Sequence, residues 1–463
     1  MMEVGKLINP ASFRDPNGFI FSHNDVIYRQ INTCYKENYD HLLQSGLYEA
    51  LVVQGLLIEH EEVSLEIALT DEAYQVLKPR AVPFISYPYE WSFSQLKDAA
   101  LTTLKIQKRA FAHGMTLKDA SAYNIQFLDG RPVLIDTLSF ETYPQNSPWV
   151  AYRQFCQHFL APLALMACKD NRLGQLLRIY IDGLPLDLAD NLLPLTSIIR
   201  PYLFIHIHLH AKSQRHFANQ KVAGNFKMKP ASFLGLMDSL ESAINGLKWK
   251  LKDSEWIAYY QADTNYSPEG FQHKKDLVSS FLKQCKPKTV WDLGANTGEF
   301  SRLAIQEGAL TISWDMDLSC VETNYRTCRE KGEKQILPLF VDLTNPSSAI
   351  GWAHQERKSL IERGPADMVL SLGLMHHLTI SNNVPFNLLA NFFSKICKHL
   401  LIEFVPKSDS QIQRLLRTRE DIFLNYTKEN FEKEFGSYFR IIDCAPIKDS
   451  QRILYHMEKR LWL

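Results

Sequence analysis

Three clusters of residues in this chain have the types and spacing that chemistry uses. The first is Val290-Trp291-Asp292-Leu293-Gly294-Ala295-Asn296-Thr297-Gly298-Glu299-Phe300-Ser301. An apolar run ends at an acid, a glycine-rich turn follows and a helix begins, which aims backbone N–H groups at a ligand beyond the strand's carboxyl end. Gly294 and Gly298 allow close backbone approach, and Asn296, where another glycine would serve, is one of the few side chains that tolerate left-handed angles. The order D-x-G-x-N-x-G is not the dinucleotide fingerprint G-x-G-x-x-G. The second cluster is Asp119, with Asn124 five residues on and Asp136 twelve after that, closing the apolar run Val133-Leu134-Ile135. The third is Ile205-His206-Ile207-His208-Leu209-His210, with His216 beyond. A strand would put three imidazoles on one face for zinc, whereas a helix would pair only His206 with His210. No nearby Cys or carboxylate completes that set, so these histidines read as structural or surface groups.

The elements that must hold these residues follow from periodicity. After Lys288, strand-like and helix-like segments alternate: Thr289 to Leu293, Glu299 to Glu307, Thr311 to Trp314, Leu318 to Glu330, Ile336 to Val341, a helix near Ile350 to Arg363, and Met368 to Leu372. Such βαβα alternation implies a parallel sheet with helices on both faces. Upstream, Gly18 to Ile31 reads as a hairpin turning at His23-Asn24-Asp25, and Val133 to Ile135 as a strand after an Asp129-Gly130 turn. Leu42 to Ile58 and Phe93 to Ala112 carry helical spacing, and Trp149 to about His210 is mostly helical. Residues 211–245 start polar and basic and then turn helical, which suits a connector. The expected division is 1–210, a connector at 211–245, and 246–463.

Composition bounds the function. At 463 residues the chain has room for two domains, and 46% hydrophobic with 22% charged residues is ordinary globular usage. Lys plus Arg and Asp plus Glu are both 51, which leaves no net field to hold a phosphate backbone, so bulk nucleic-acid binding is disfavoured. The N-terminus has no apolar signal region, and the richest apolar stretches are too short to span a bilayer. Eight cysteines without a C-x-x-C pair imply reduced thiols and a cytoplasmic protein. Composition leaves the oligomeric state open.

The first cluster resembles motif I of the class I S-adenosylmethionine-dependent methyltransferases, and the resemblance continues in order over roughly 115 residues. It implies a C-terminal Rossmann-like, mostly parallel α/β sheet and S-adenosylmethionine as cofactor. Asp292, Gly294, Asn296 and Gly298 then form the cofactor turn. Asp315, in Trp314-Asp315-Met316-Asp317, is implied to chelate the ribose hydroxyls, and Asp342, after Val341, to contact the adenine amino group. His376 and His377 follow the fourth strand beside the transferring methyl, and Glu403, in Leu401 to Pro406, ends the fifth. These three are the catalytic candidates, with a histidine removing a proton where the nucleophile requires it. Each has a plainer reading: an Asp after a strand often caps a helix, the histidine pair can cap one, and Glu403 can be a solvated strand end. The segment Trp256 to Phe271, ahead of a helix expected from Gln272, resembles one that covers the cofactor, although its aromatics equally suit packing. The loop after the fourth strand lacks the Asn/Asp-Pro-Pro-Tyr signature, which leaves a small-molecule or peptide acceptor.

The second cluster resembles the catalytic and metal-binding loops of kinase-like and aminoglycoside-phosphotransferase-like folds, implying an α+β kinase-like or helical N-terminal domain. There Asp119 would orient a hydroxyl while Asn124 and Asp136 hold magnesium. No Gly-rich phosphate loop or V-A-I-K lysine is present, and Arg29 is the candidate substitute for that lysine. The whole chain also resembles rhizobial nodulation methyltransferase-like proteins. Three functions therefore compete: methyl transfer, ATP-dependent phosphoryl transfer, and a partner-binding scaffold built on two degenerate folds.

Overall fold

In the computed structural model, which describes residues 6–212, 227–250, 256, 266–417 and 419–460, the apolar runs of the C-terminal half become buried parallel strands. Contacts divide the chain into two units, Met1–Lys250 with Ala349–Arg357, and Leu251–Ser348 with Lys358–Leu463.

The second unit is built on strands β10 (Thr289–Leu293), β11 (Leu310–Asp315), β12 (Ile336–Phe340), β13 (Ala366–Ser371), β14 (Cys397–Phe404), β15 (Phe439–Pro446) and β16 (Ile453–Lys459). Their order in the sheet is β12-β11-β10-β13-β14-β16-β15. The first five are parallel, while β16 runs antiparallel to β14 and β15 antiparallel to β16. Strands such as Asp-Met-Val-Leu-Ser lack polar alternation because helices cover both faces of a parallel sheet. Chain order runs outward from β10 through β11 to β12 and then returns to β13 on the other side. That reversal opens a crevice at the carboxyl ends of β10 and β13, where open α/β sheets bind ligands. Beneath it, Val278, Phe281 and Leu282 of the Pro268–Cys285 helix pack with Val290, Phe300, Leu370 and Leu401 in one core.

The first unit carries an antiparallel sheet of β1 (Lys6–Ile8), β2 (Gly18–His23), β3 (Val26–Asn32), β4 (His60–Val63) and β5 (Ala73–Pro79), ordered β1-β2-β3-β5-β4. The β2–β3 turn is Asn24-Asp25, both with positive φ (51° and 61°), as a tight hairpin requires. The Phe93–Ala112 helix begins in a capping box: Ser92 Oγ accepts from Gln95 N, and Gln95 accepts from Ser92 N. Such a cap is worth about 1 kcal/mol. Two antiparallel pairs follow, β6 (Met115–Leu117) with β9 (Phe140–Thr142) and β7 (Ile125–Leu128) with β8 (Arg131–Leu134). The unit is thus α+β.

Several expectations change. The helical run Leu42 to Ile58 is two helices, Lys36–Gln44 and Leu47–Val53, because Gly46 turns the chain at φ +76°. No α-helix forms near Ile350 to Arg363, only single 3₁₀ turns at Trp352–His354 and Ile361–Arg363. Gly351, Ala353 and His354 have φ of +86°, +52° and +58°. The stretch 211–245 turns helical as expected, in the Pro230–Gly246 helix, whose Phe233 stacks on Phe111 and whose Asp238 and Glu241 pair with Lys108 at 2.7 and 2.5 Å. The helix expected from Gln272 starts at Pro268, behind the Ser267 cap. Among the described residues no helix is long and apolar enough to cross a membrane.

Candidate functional site

The glycine-rich turn is held by its neighbouring strand. Gly294 N and Ala295 N both donate to Trp314 O at 2.9 Å, and Asn296 N donates to Asp315 Oδ2 at 2.7 Å. Gly294, Asn296 and Gly298 all have positive φ (73°, 52° and 85°), which explains two glycines and an asparagine at these positions. A Cβ on Gly294 would lie 3.4 Å from Leu374, in the loop after β13. One on Gly298 would meet Asn324 at 2.5 Å.

The two acids flanking Met316 have different duties. Asp317 caps the Leu318–Lys331 helix, accepting from Ser319 N at 2.7 Å. Asp315 accepts from Asn296 N through one oxygen and from Asp317 N, at 2.8 Å, through the other. Each carboxylate oxygen has two acceptor sites, and with Met316 N a third backbone donor toward Asp315, at least one site remains for a hydroxyl donor. Burial pushes Asp315 up to about 6. Burial also raises Asp292 to about 6, against the Ser301 hydroxyl that donates to it at 2.6 Å. Asp292 is therefore a buried acid beneath the turn. Asp342 follows β12, joined to β11 through Val341 N and Asp315 O at 2.9 Å, and its Oδ1 accepts from Thr344 N and Oγ1.

The loop after β13 brings the histidines to the same end of the sheet. Trp256 links them to the turn: its carbonyl accepts from Asn296 Nδ2 at 2.6 Å, and its ring meets His377 edge-on at 5.4 Å. Residues 257–265, the centre of the aromatic segment expected to cover the cofactor, lie outside the described residues. His376 and His377 have ring centroids 4.2 Å apart, and His376 Nδ1 is buried without a hydrogen-bond partner among the described residues. Burial lowers both imidazoles, His377 to about 4 and His376 well below its ordinary value with help from His377, Arg452 and Lys274. Burial favours the neutral form of both, whose ring nitrogens keep a lone pair, and opposes the charged form.

Glu403 is not a solvated strand end. Its side chain is fully buried, and Oε2 meets Lys274 Nζ at 2.6 Å while Oε1 meets Arg452 Nη1 at 3.3 Å and the Tyr266 hydroxyl. Arg452 also holds Asp409 through two nitrogens at 2.7 and 3.1 Å. Burial opposes the charge on Glu403, but Lys274 and then Arg452 outweigh it and hold the acid at about 2. A Cβ on Gly373 would lie 3.8 Å from Glu403 Oε2, so this network backs the histidine loop. Sequence reasoning missed Lys274, Arg452 and Asp409, and gave Tyr266 only as one aromatic of the Trp256 to Phe271 segment. Lys274 had a signal, since it falls on the apolar stripe Phe271, Val278 and Phe281 of its helix. Arg452 had none.

In the first unit, Asp136 Oδ1 is paired with Arg29 at 2.7 Å, and its other oxygen accepts from Ser139 Oγ. Asp119 Oδ1 accepts from Ser121 N at 2.9 Å and Gln154 Nε2 at 2.8 Å. Burial, then the charge of nearby Asp136, raises Asp119. The histidine cluster lies on a wide π-helical turn, Phe204–Leu209, and its members have separate partners. His206 bonds Tyr152 and Ser239, both at 2.8 Å, while His208 bonds Asp190 at 2.5 Å and Ser197 at 2.9 Å. His216 lies outside the described residues.

Comparison with known proteins gives one full-length relative. The chain is 35% identical to the nodulation protein NoeA of Rhizobium meliloti (strain 1021) over 458 residues, covering 97% of this chain and 95% of that protein. No family model matches. Among solved structures, the magnesium protoporphyrin IX methyltransferase of Synechocystis PCC 6803 with bound SAH is similar over 44% of this chain and 98% of its own, at 16% identity and a TM-score of 0.31. The N-methyltransferase NodS of Bradyrhizobium japonicum WM9 is similar over 42% of this chain and 99% of its own, at 10% identity and a TM-score of 0.31.

Proposed function

The chain belongs to the family of the nodulation protein NoeA, and on that footing we propose that its second unit is an S-adenosylmethionine-dependent methyltransferase acting on a small-molecule or peptide acceptor. The observation that carries this reading is Asp315, which shapes the Gly294–Gly298 turn through Asn296 N from the carboxyl end of β11, beside the sheet's switch point. When bound, the cofactor supplies an electrophilic methyl group on a sulfonium. Asp315 would hold the ribose hydroxyls, Asp342 would hold the adenine amino group, and the bare backbone at Gly294 would admit the ligand. Asp292, beneath the turn, offsets positive charge. His376 or His377 accepts the acceptor's proton at a ring nitrogen, and Glu403 holds the loop that carries them. Catalysis of this kind is chiefly positioning.

Titration calorimetry of the full chain with S-adenosylhomocysteine and with Mg-ATP tests the assignment. Binding of the former alone is expected, and binding of Mg-ATP alone would overturn it.

The link from Asn124 to Asp136 favours a second reading, in which the first unit descends from a kinase-like fold: Asn124 Nδ2 donates to Ser139 Oγ at 3.3 Å, and Ser139 Oγ donates to Asp136 Oδ2. Arg29 occupies the acid that would hold magnesium, so on this reading the unit has kept the arrangement and lost the turnover.

A further inference from the structure

At the opposite end of β14, Cys285, His399 and His456 bring one sulfur and two ring nitrogens to within 4.8 Å of one another, the one such group of three among the described residues. Cys285 is the last residue of the Pro268–Cys285 helix, His399 lies on β14 and His456 on β16. The ladder pairs His399 with Glu458 and Leu401 with His456, which makes the two histidines diagonal neighbours on one face. The helix covers that face, with Phe281 packed on the His456 ring at 5.4 Å between centroids.

The distances suit a shared ion better than hydrogen bonding. Cys285 Sγ lies 3.2 Å from His456 Nε2, and the same nitrogen lies 3.4 Å from His399 Nδ1. One ring nitrogen has either one proton or one lone pair, so hydrogen bonding satisfies one of these two contacts and leaves the other unmade. A tetrahedral ion with bonds of about 2.0–2.1 Å to nitrogen and 2.3 Å to sulfur spaces its ligand atoms roughly 3.3–3.7 Å apart. Two carboxylates share the neighbourhood: Asp443 lies opposite His456 across the β15–β16 ladder, and Glu458, opposite His399, is held by Arg440 at 2.5 Å.

We propose that Cys285, His399 and His456 form a binding site for a divalent first-row transition cation of the zinc class, with water in the fourth position. One thiolate and two imidazoles are donors that favour such ions over magnesium or calcium. Binding releases the thiol proton as the metal–sulfur bond forms. His399 is four residues from Glu403 along β14, about 13 Å in an extended strand. The ion therefore lies away from the methyl-transfer end and pins the helix terminus to the antiparallel edge of the sheet.

The test uses the full chain, stripped with a chelator and dialysed, without S-adenosylmethionine. It is titrated with cobalt(II), and zinc(II) is then competed against a chromophoric chelator. One equivalent of cobalt with a thiolate-to-cobalt charge-transfer band is expected, displaced by zinc. Cys285→Ser should abolish the band, and His399→Asn should weaken binding at least tenfold. No stoichiometric binding to the wild type, a spectrum without the thiolate band, or unchanged affinity in a folded variant would each overturn the site. Should Cys285→Ser fail to fold, the partly exposed His399 still decides: His399→Asn with wild-type affinity refutes the proposal. The outcome is independent of the calorimetry on S-adenosylhomocysteine, so either reading can fail alone.

Discussion

Asp315 Oδ2 accepts the backbone N–H of Asn296 at 2.7 Å, so the acid at the end of β11 also fixes the left-handed residue of the glycine-rich turn. One side chain therefore shapes two walls of the candidate cofactor site, and its loss should be felt at both. Asp315→Ala is expected to weaken S-adenosylhomocysteine binding roughly ten- to a hundredfold, about 1.5–3 kcal/mol. Calorimetry on a variant with an unchanged melting profile checks this, and wild-type affinity would remove Asp315 from the site.

Gly294→Val should abolish cofactor binding while the unit stays folded. A β-branched side chain is strained at φ +73°, and its Cβ would point at Leu374 3.4 Å away, in space the ligand and the turn need. Circular dichroism separates folding from binding here. A folded variant that binds normally would show the turn to be structural only.

Acid should weaken cofactor binding before it unfolds the protein. Burial raises Asp315 to about 6, and its ionised form is the better acceptor for two hydroxyls. Affinity should be flat above pH 7 and fall by up to about tenfold per unit below pH 6. Calorimetry at pH 5, 6 and 7 reads this directly, and a flat profile would argue against an ionised Asp315 in the complex.

Breaking the buried network should be costly. Lys274→Met leaves the Glu403 carboxylate without its 2.6 Å partner in a fully buried setting, and such losses cost about 3–5 kcal/mol. The pH dependence has a definite sign. Glu403 is held at about 2, below its ordinary 4.5, so its contribution is complete above pH 4.5 and is lost as pH falls toward 2. Urea melts of wild type and variant at pH 7 and pH 3 should differ less at the lower pH. Equal stability at pH 7 would mean the network holds without its lysine.

The first unit should not turn over ATP at a kinase-like rate. Arg29 already neutralises Asp136 at 2.7 Å, and no glycine-rich phosphate loop precedes Asp119. Phosphoryl transfer depends on positioning and charge neutralisation, so these losses should cost orders of magnitude. Fast transfer from radiolabelled ATP that Asp136→Ala abolishes would overturn this expectation.

The β10 to β13 strands, the turn at Gly294 to Gly298 and the place of Asp315 were legible in the sequence, because each depends on neighbours a few residues away. Apolar runs mark strands buried on both faces, and positive φ selects glycine or asparagine locally. The tertiary structure alone decided the rest. Glu403 reads locally as a strand-end acid, yet partners 129 and 49 residues away make it a buried ion. The stretch after Ile350 has helical composition, but Glu356 draws in Trp352 N at 2.7 Å and Arg14, 342 residues away, at 2.8 Å. Cys285, His399 and His456 have no motif spacing, since a helix end and two strands deliver them. Periodicity reports which face of an element is buried, but not which charge or donor a distant element will place against it.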